Sequence, residues 1–328
     1  MFAAGRQVSS LDPSGEPVRE HPLCSVIVCT RHRTTKLARC LTALRSLDYP
    51  RYELIVVDNT VGDEKVRRLA DSADAFRVVE PRAGLSRARN AGARAAGGEI
   101  IAFIDDDAVA RPDWLRRHAA AFADQSLGAT TGRVLPMAEA SPAAQNWTAS
   151  VEDLGEESLR IDRTSSNWFE RVNFGGIGLG SNMAFRSGLF ENGWAFRESL
   201  GLGERDQPLG EEHYAFFTLI NAGHAVAYVP DAVVYHDGPA SMSDLRLKRR
   251  RLVRGSTAYF VMLLVEHPEF RKRTLRYGLT ALRGKRRYWR TAAPATMPFL
   301  RRRELVAAML SAPWRYWRSR RASSSRMR

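Results

Sequence analysis

From Cys24 onward, short apolar runs alternate with stretches of helical periodicity. CSVIVC at residues 24–29 is almost continuously apolar, the pattern of a strand covered on both faces. Leu37, Leu41, Leu44 and Leu47 then recur at helical spacing. ELIVVD (53–58) predicts a second strand, 63–70 a helix, RVVE (77–80) a short strand, 85–96 a helix and IIAFID (100–105) another strand. Strands and helices alternating at this spacing imply right-handed crossovers and a mainly parallel sheet. Ligands of such sheets lie beyond the carboxyl ends of the strands, where Asp58 and Asp105 stand.

Further on, Pro112 opens a helix carrying Trp114, Leu115 and Phe122, and 128–135 predicts a strand. The pattern weakens across 136–174. NFGGIGLGSN (173–182) holds four glycines, which suit a backbone that approaches a ligand closely, a lid, or a plain connection. A strand is expected over 183–186, a helix over 211–222 closed by Gly223, and two short strands over 225–229 and 232–236.

Beyond Ser243 the pattern changes to long helical stretches dense in arginine. The 328-residue chain has a net charge of +14, but residues 245–328 hold 24 Lys and Arg against three Glu, a balance of +21 that leaves the preceding body acidic at −7. KRRRLVRG, RKRTLRYG, GKRRYWR and PWRYWRSRR interleave cations with Trp289, Trp314, Trp317 and other apolar residues, as helices do that lie on an anionic membrane surface. Packed helices with a solvated basic face would give the same pattern. The longest apolar run, 258–265, is far short of the roughly 20 residues a spanning helix needs. The first residues lack the apolar core of a secretory leader. Cys24, Cys29 and Cys40 show no CxxC spacing, so neither a disulfide framework nor a zinc knuckle is indicated and a reducing compartment is expected. The expected division is a flexible lead-in over 1–22, a catalytic domain over 23–242 with halves meeting at 135/136, and a basic helical region over 243–328.

Asp105, Asp106 and Asp107 end an apolar strand. Three adjacent carboxylates repel one another unless water or a cation neutralises them, and Mg2+ or Mn2+ favours such oxygen ligands together with phosphate oxygens. The ordered set SVIVCTRHR, YPRYELIVVDN, EPRAGLSRARNAGARAAGGEIIAFIDDD with RPDWL, GSNMAFR, GEEHYAFFTLINAGH and VPDAVVYH resembles the inverting nucleotide-sugar glycosyltransferases of family 2, which have the GT-A fold, over about 24–236.

The resemblance implies a GT-A α/β architecture and transfer of a sugar from a nucleoside diphosphate, most plausibly UDP, to a glycan or lipid-linked acceptor with Mn2+ or Mg2+. It places Thr30 beside the nucleotide base, Asp58 on the base or ribose, Asp105 and Asp106 near ribose and sugar, and Asp107 on the metal. His236 is a second metal ligand by the same argument, and Arg89 supports phosphates or a neighbouring carboxylate. Asn182 and Met183 would shape the sugar or acceptor floor. The family usually has Glu-Asp where this chain has Glu211-Glu212; Glu212 is the expected base and Glu211 a structural or acceptor-contacting group. Acidic residues also suit a helix N-terminus in their own right. No QxxRW follows, which predicts one sugar per encounter rather than processive synthesis. The expected setting is cytoplasmic, peripheral at the inner face of the membrane, with no specific nucleic-acid partner. A sugar-phosphate nucleotidyltransferase is the alternative among enzymes, disfavoured because CTRHRTTK lacks glycine. A catalytically silent basic scaffold is the alternative outside them.

Overall fold

The computed structural model describes residues 21–174, 176–201, 208–282 and 302–324. Nearly all of the expected lead-in, the cluster around Trp289 and the end of SSSRMR lie outside them. Nine strands form one sheet: β1 (Cys24–Thr30), β2 (Tyr52–Asp58), β3 (Phe76–Val79), β4 (Ile100–Asp105), β5 (Ala108–Ala110), β6 (Leu127–Pro136), β7 (Leu159–Ile161), β8 (Asn182–Arg186) and β9 (Ala225–His236). Their order is β3-β2-β1-β4-β8-β6-β9-β5, with β7 also on β9. The first four strands run parallel, joined by helices Thr34–Leu44, Glu64–Ser72 and Leu85–Ala95. Antiparallel pairing begins at β8.

Alternation explains why β1 is apolar throughout. Val26 and Val28 pack with Leu37, Leu41, Leu44 and Trp114 on one face, while Ile27 packs with Val57, Phe103 and Phe185 on the other. The register pairs Thr30 with Asp58 and Cys29 with Asp105, so the polar strand ends share one edge.

The two short strands expected over 225–236 are one strand with a bulge. Pairing steps from Gly132 opposite Val229 to Arg133 opposite Val233, leaving Pro230, Asp231 and Ala232 without ladder partners. Asn182 repairs the gap. Its Nδ2 donates to the carbonyls of Arg133 at 2.9 Å and Ala232 at 2.8 Å, and its Oδ1 accepts from Trp114 Nε1 at 2.8 Å and His118 Nε2 at 2.9 Å. With both amide atoms fully used and the residue wholly buried, Asn182, expected on the sugar or acceptor floor, serves as a strut between the bulge and the helix that carries Trp114 and His118. A Cβ at Gly132 would overlap the Ala232 carbonyl and this amide, so only glycine fits there.

The basic region is built into the body. Ser241 and Asp244 form a capping box on helix Met242–Glu266, which starts one residue before the expected boundary. Tyr259 donates to Asn173 Oδ1 at 2.5 Å, Glu266 pairs with Arg197 at 2.8 Å, the Tyr277 ring stacks on Phe174 at 3.6 Å, and Ser319 donates to the Ser199 carbonyl at 2.7 Å. Among the described residues no helix is long and apolar enough to cross a membrane.

Asn182→Ala would orphan two buried donors and two carbonyls, and we expect a loss on the order of 3 kcal/mol or more in urea unfolding, with any smaller change arguing that the bulge closes by other means. His118 supplies a pH test. Burial pushes its pKa down from 6.5 to about 4, against the hydrogen bond it donates to Asn182, so between those values the unfolded chain binds the extra proton and the folded state loses stability as pH falls. The loss saturates near pH 4 at about 3 kcal/mol. Urea midpoints from pH 7 to pH 4 should fall more steeply for wild type than for His118→Gln.

Candidate active site

The first polar residues beyond β1 and β4 meet at once. Thr30 Oγ1 donates to Asp106 at 2.7 Å, and Arg33 reaches Asp106 and Asp107 at 3.1 Å each. Lys36 lies 3.2 Å from both Asp107 and Asp237, and Arg39 lies 2.8 Å from Asp237. Burial pushes Asp106 up to about 6 despite the Thr30 hydrogen bond. Burial would also raise Asp107, yet the His236 hydrogen bond and charge, with Arg33 and Lys36, hold its carboxyl well below the usual range. Asp105 is raised by burial and partly restored by Arg89 and His236.

β9 carries His236 to the same point. Its Nε2 is 3.0 Å from Asp107 Oδ1 and its Nδ1 is 3.1 Å from Glu152 Oε1. Burial disfavours the charged ring, but Glu152 and Asp107 outweigh it and bring the pKa to about 10. Glu152 ends a π-helical turn, Thr148–Glu152, and accepts from Trp147 Nε1 at 2.6 Å and Thr148 Oγ1 at 3.1 Å. Sequence reasoning missed Glu152, Arg33 and Lys36. The basic pair sits within six residues of the β1 end and was legible as such; Glu152 lies 84 residues from His236 in a stretch without periodicity.

One ligand atom each from Asp105, Asp107 and His236 can lie within 4.8 Å of one another. Two carboxylates and an imidazole suit Mn2+ or Mg2+, and an imidazole whose other nitrogen faces a carboxylate has the outer partner typical of metal-bound histidine. The residues therefore fit a divalent cation.

Arg89 joins this cluster to the second acidic pair. From helix Leu85–Ala95 its guanidinium lies 3.7 Å from Asp105 Oδ1, donates to Glu211 Oε1 at 3.0 Å and donates to the Gly180 carbonyl at 3.1 Å. A Cβ on Gly180 would come within 2.7 Å of that guanidinium. Part of the glycine-rich stretch thus serves a close approach of backbone to Arg89. Glu211 and Glu212 open helix Glu211–Asn221. Burial and the adjacent Glu212 charge push Glu211 up to about 7, with Arg89 opposing, and burial raises Glu212 as well. Glu211 is 7% exposed and committed to Arg89; Glu212 is 15% exposed, and among the described residues no Lys or Arg stands within ion-pair distance of it. Asp58 is fully buried and accepts from Thr60 Oγ1 at 2.6 Å, Asp63 N at 2.7 Å and Arg77 at 2.7 Å. Its carboxylate is therefore already occupied at the carboxyl end of β2.

The acid-and-imidazole cluster thus sits at the carboxyl ends of β1 and β4 in a mixed sheet, and comparisons with known proteins show the family. The sequence model described as glycosyl transferase family 2 matches residues 25–194, and the chain belongs to that family. An N-acetylglucosaminyltransferase of Mesorhizobium japonicum is 24% identical, covering 74% of this chain and 57% of its own. The succinoglycan biosynthesis protein ExoM of Rhizobium meliloti is 29% identical over 70% of this chain and 72% of its own. The pre-mycofactocin glycosyltransferase of Mycobacterium tuberculosis is 27% identical over 78% of this chain and 50% of its own. The chain spans about half the length of several of these relatives. Among solved structures, a mannosyltransferase from Pyrobaculum calidifontis in complex with GDP-Man and Mn2+ superposes with a TM-score of 0.53 at 21% identity, covering 94% of this chain and 75% of that one. Residues 1–349 of S. aureus TarS with UDP-GlcNAc give 0.52 at 15% identity, covering 73% and 66%. These likenesses establish the GT-A fold.

Glu152→Gln should weaken Mn2+ binding by about 10–100-fold, measured by titrating free Mn2+ with UDP present. Unchanged affinity would detach Glu152 from the cation site. Arg89→Ala should cost about 3–5 kcal/mol in urea unfolding by leaving buried carboxylates uncompensated, and Arg89→Lys should recover only part of it.

Proposed function

We propose that this protein is a metal-dependent, inverting, non-processive glycosyltransferase that moves one sugar from a nucleoside diphosphate, with UDP the first choice, to a hydroxyl of a glycan or lipid-linked acceptor. The observation that carries this reading is Arg89, whose one guanidinium meets the Asp105 side of the cation cluster and the Glu211-Glu212 pair. Leaving-group chemistry and proton removal are thereby kept on one wall of one cleft. The donors held by solved relatives of the same fold, GDP-Man with Mn2+ and UDP-GlcNAc, support an activated sugar as the substrate class.

In this reading Thr30 and Asp58 border the nucleoside at the ends of β1 and β2, and Asp105 and Asp106 face ribose and sugar. Asp105, Asp107 and His236 would hold Mn2+ or Mg2+, which when bound neutralises charge on a departing diphosphate. Glu212 takes the proton of the acceptor hydroxyl as its oxygen bonds to the anomeric carbon from the face opposite the diphosphate. The bond from that carbon to the diphosphate oxygen breaks with its electron pair, and the configuration inverts. Its raised pKa makes Glu212 a better proton acceptor than an ordinary carboxylate. Arg89 fixes Glu211 beside it, and holding the reacting groups in line contributes through orientation.

With donor and acceptor supplied, Glu212→Gln should lower kcat by about 10²–10⁴-fold while leaving donor affinity within about twofold. Glu211→Gln should reduce affinity and stability along with rate. A Glu212→Gln enzyme at full speed would move the base elsewhere. Asp107→Ala should abolish the Mn2+ dependence of donor hydrolysis, scored by release of the nucleoside diphosphate. No donor from a nucleotide-sugar panel raising the melting temperature, with or without Mn2+, would remove the transferase reading.

A further inference from the structure

Helix Arg302–Ser324 has two apolar faces, of which the fold uses one. Ala308, Ala312 and Tyr316 are buried, and Ser319 is tied to the Ser199 carbonyl, so this face is the inner one. Val306, Met309, Leu310, Trp314 and Trp317 are exposed, with Leu310 at 79% and Trp314 at 56%. At about 100° per residue these five side chains fall within an arc of roughly 140°. Scattered surface leucines need no explanation; five large apolar groups aligned on one helix do.

The surroundings name the occupant. Arg318 lies over the Trp314 ring at 5.1 Å and Arg320 over the Trp317 ring at 5.6 Å, an arrangement that keeps both cations at the depth of the indoles. Along the edge of the stripe, where Ala307 and Ser311 follow Val306 and Leu310, a groove of about 690 Å³ separates this helix from Met242–Glu266. It is lined by Arg250, Arg251, Arg254 and Arg315, with Glu304 held by Arg250 at 2.6 Å. Indoles at an interface, cations level with them and a cationic recess beside an apolar stripe match the headgroup zone of an anionic leaflet. A protein partner would match the stripe alone.

We propose that this helix lies flat on an anionic bilayer, with Val306, Leu310, Trp314 and Trp317 immersed to the acyl boundary and Arg250, Arg251 and Arg254, the exposed arginines of the groove, at the level of the lipid phosphates. The inner face of the same helix touches the segment leading to the acidic pair. Tyr316 donates to Glu266 at 2.8 Å, Glu266 holds Arg197, and Gly210 immediately before Glu211 packs on Tyr259. The bilayer then lies against the scaffold that positions the acidic pair, as a lipid-linked acceptor would require. That consequence rests on the proposed transfer; the docking itself does not.

The test sediments the full chain with phosphatidylcholine vesicles, with and without phosphatidylglycerol, and follows tryptophan emission. Wild type should partition to the anionic vesicles with a blue shift and to neutral ones much less. Leu310→Asp with Trp314→Asp should reduce the partition by at least about tenfold. Melting temperature and vesicle-free, Mn2+-dependent donor hydrolysis should be unchanged, because both side chains are exposed and neither takes part in the proposed site. Equal partition of wild type to both vesicles, equal partition of wild type and variant, or a dimer that the variant dissolves without any vesicle binding would overturn the docking. Loss of donor hydrolysis in wild type would instead remove the transferase reading and leave the docking result standing.

Discussion

A guanidinium with almost no access to water stays where it is only if carboxylates meet it, and Arg89 meets two that belong to different halves of the fold. Asp105 arrives on β4 from the parallel half; Glu211 arrives 106 residues later at the start of a helix. Removing either acid leaves a buried cation undercompensated, and removing the cation leaves the acids to repel each other in a low dielectric. The separation between the Asp105 cluster and the Glu211-Glu212 pair is therefore set by one rigid, planar group. Lysine, a single point charge on a flexible stem, could neutralise the acids without setting the distance.

The same logic explains the glycines. Arg89 needs a third partner for its remaining donors, and the Gly180 carbonyl provides it because no Cβ stands between backbone and guanidinium. The four glycines of the stretch read equally well from sequence as a lid or a simple connection. Close approach to a side chain 91 residues earlier is a property of the folded chain, and nothing local in the sequence carries it.

What was legible follows the range of the signals. Thr30, Asp58 and Asp105 were readable because each ends a run of apolar residues, and an apolar strand in a parallel sheet has one functional end. His236 was readable for the same reason at the end of β9. Asn182 carried an equally suggestive setting, directly after Gly-Ser and before an apolar strand, yet the structure uses it to close a bulge in β9. The bulge follows from Pro230, which cannot donate to a ladder, and the sequence pattern had split the strand there. Glu152 was invisible because it sits in a π-helical turn whose neighbours repeat at neither 2 nor 3.6 residues. Such turns are rare and frequent at functional sites.

Charge distribution was the most far-reaching signal and the most easily misread. A balance of +21 over the last 84 residues suggests a basic region that lies on an anionic surface, whereas its described helices also pack into the body of the fold. Gly255 packs so closely on Leu209 that a Cβ there would overlap the leucine side chain, and Tyr259 reaches across to Asn173. Helix Met242–Glu266 is thereby packed on Leu209 and Gly210, the residues directly before Glu211. From the inner face of the last helix, Tyr316, Glu266 and Arg197 form a continuous chain of contacts, and the Arg197 guanidinium lies 5.2 Å from the Tyr214 ring on the helix that Glu211 opens. Binding a surface through that face would thus constrain the catalytic half directly, by packing, without requiring a hinge or a second conformation.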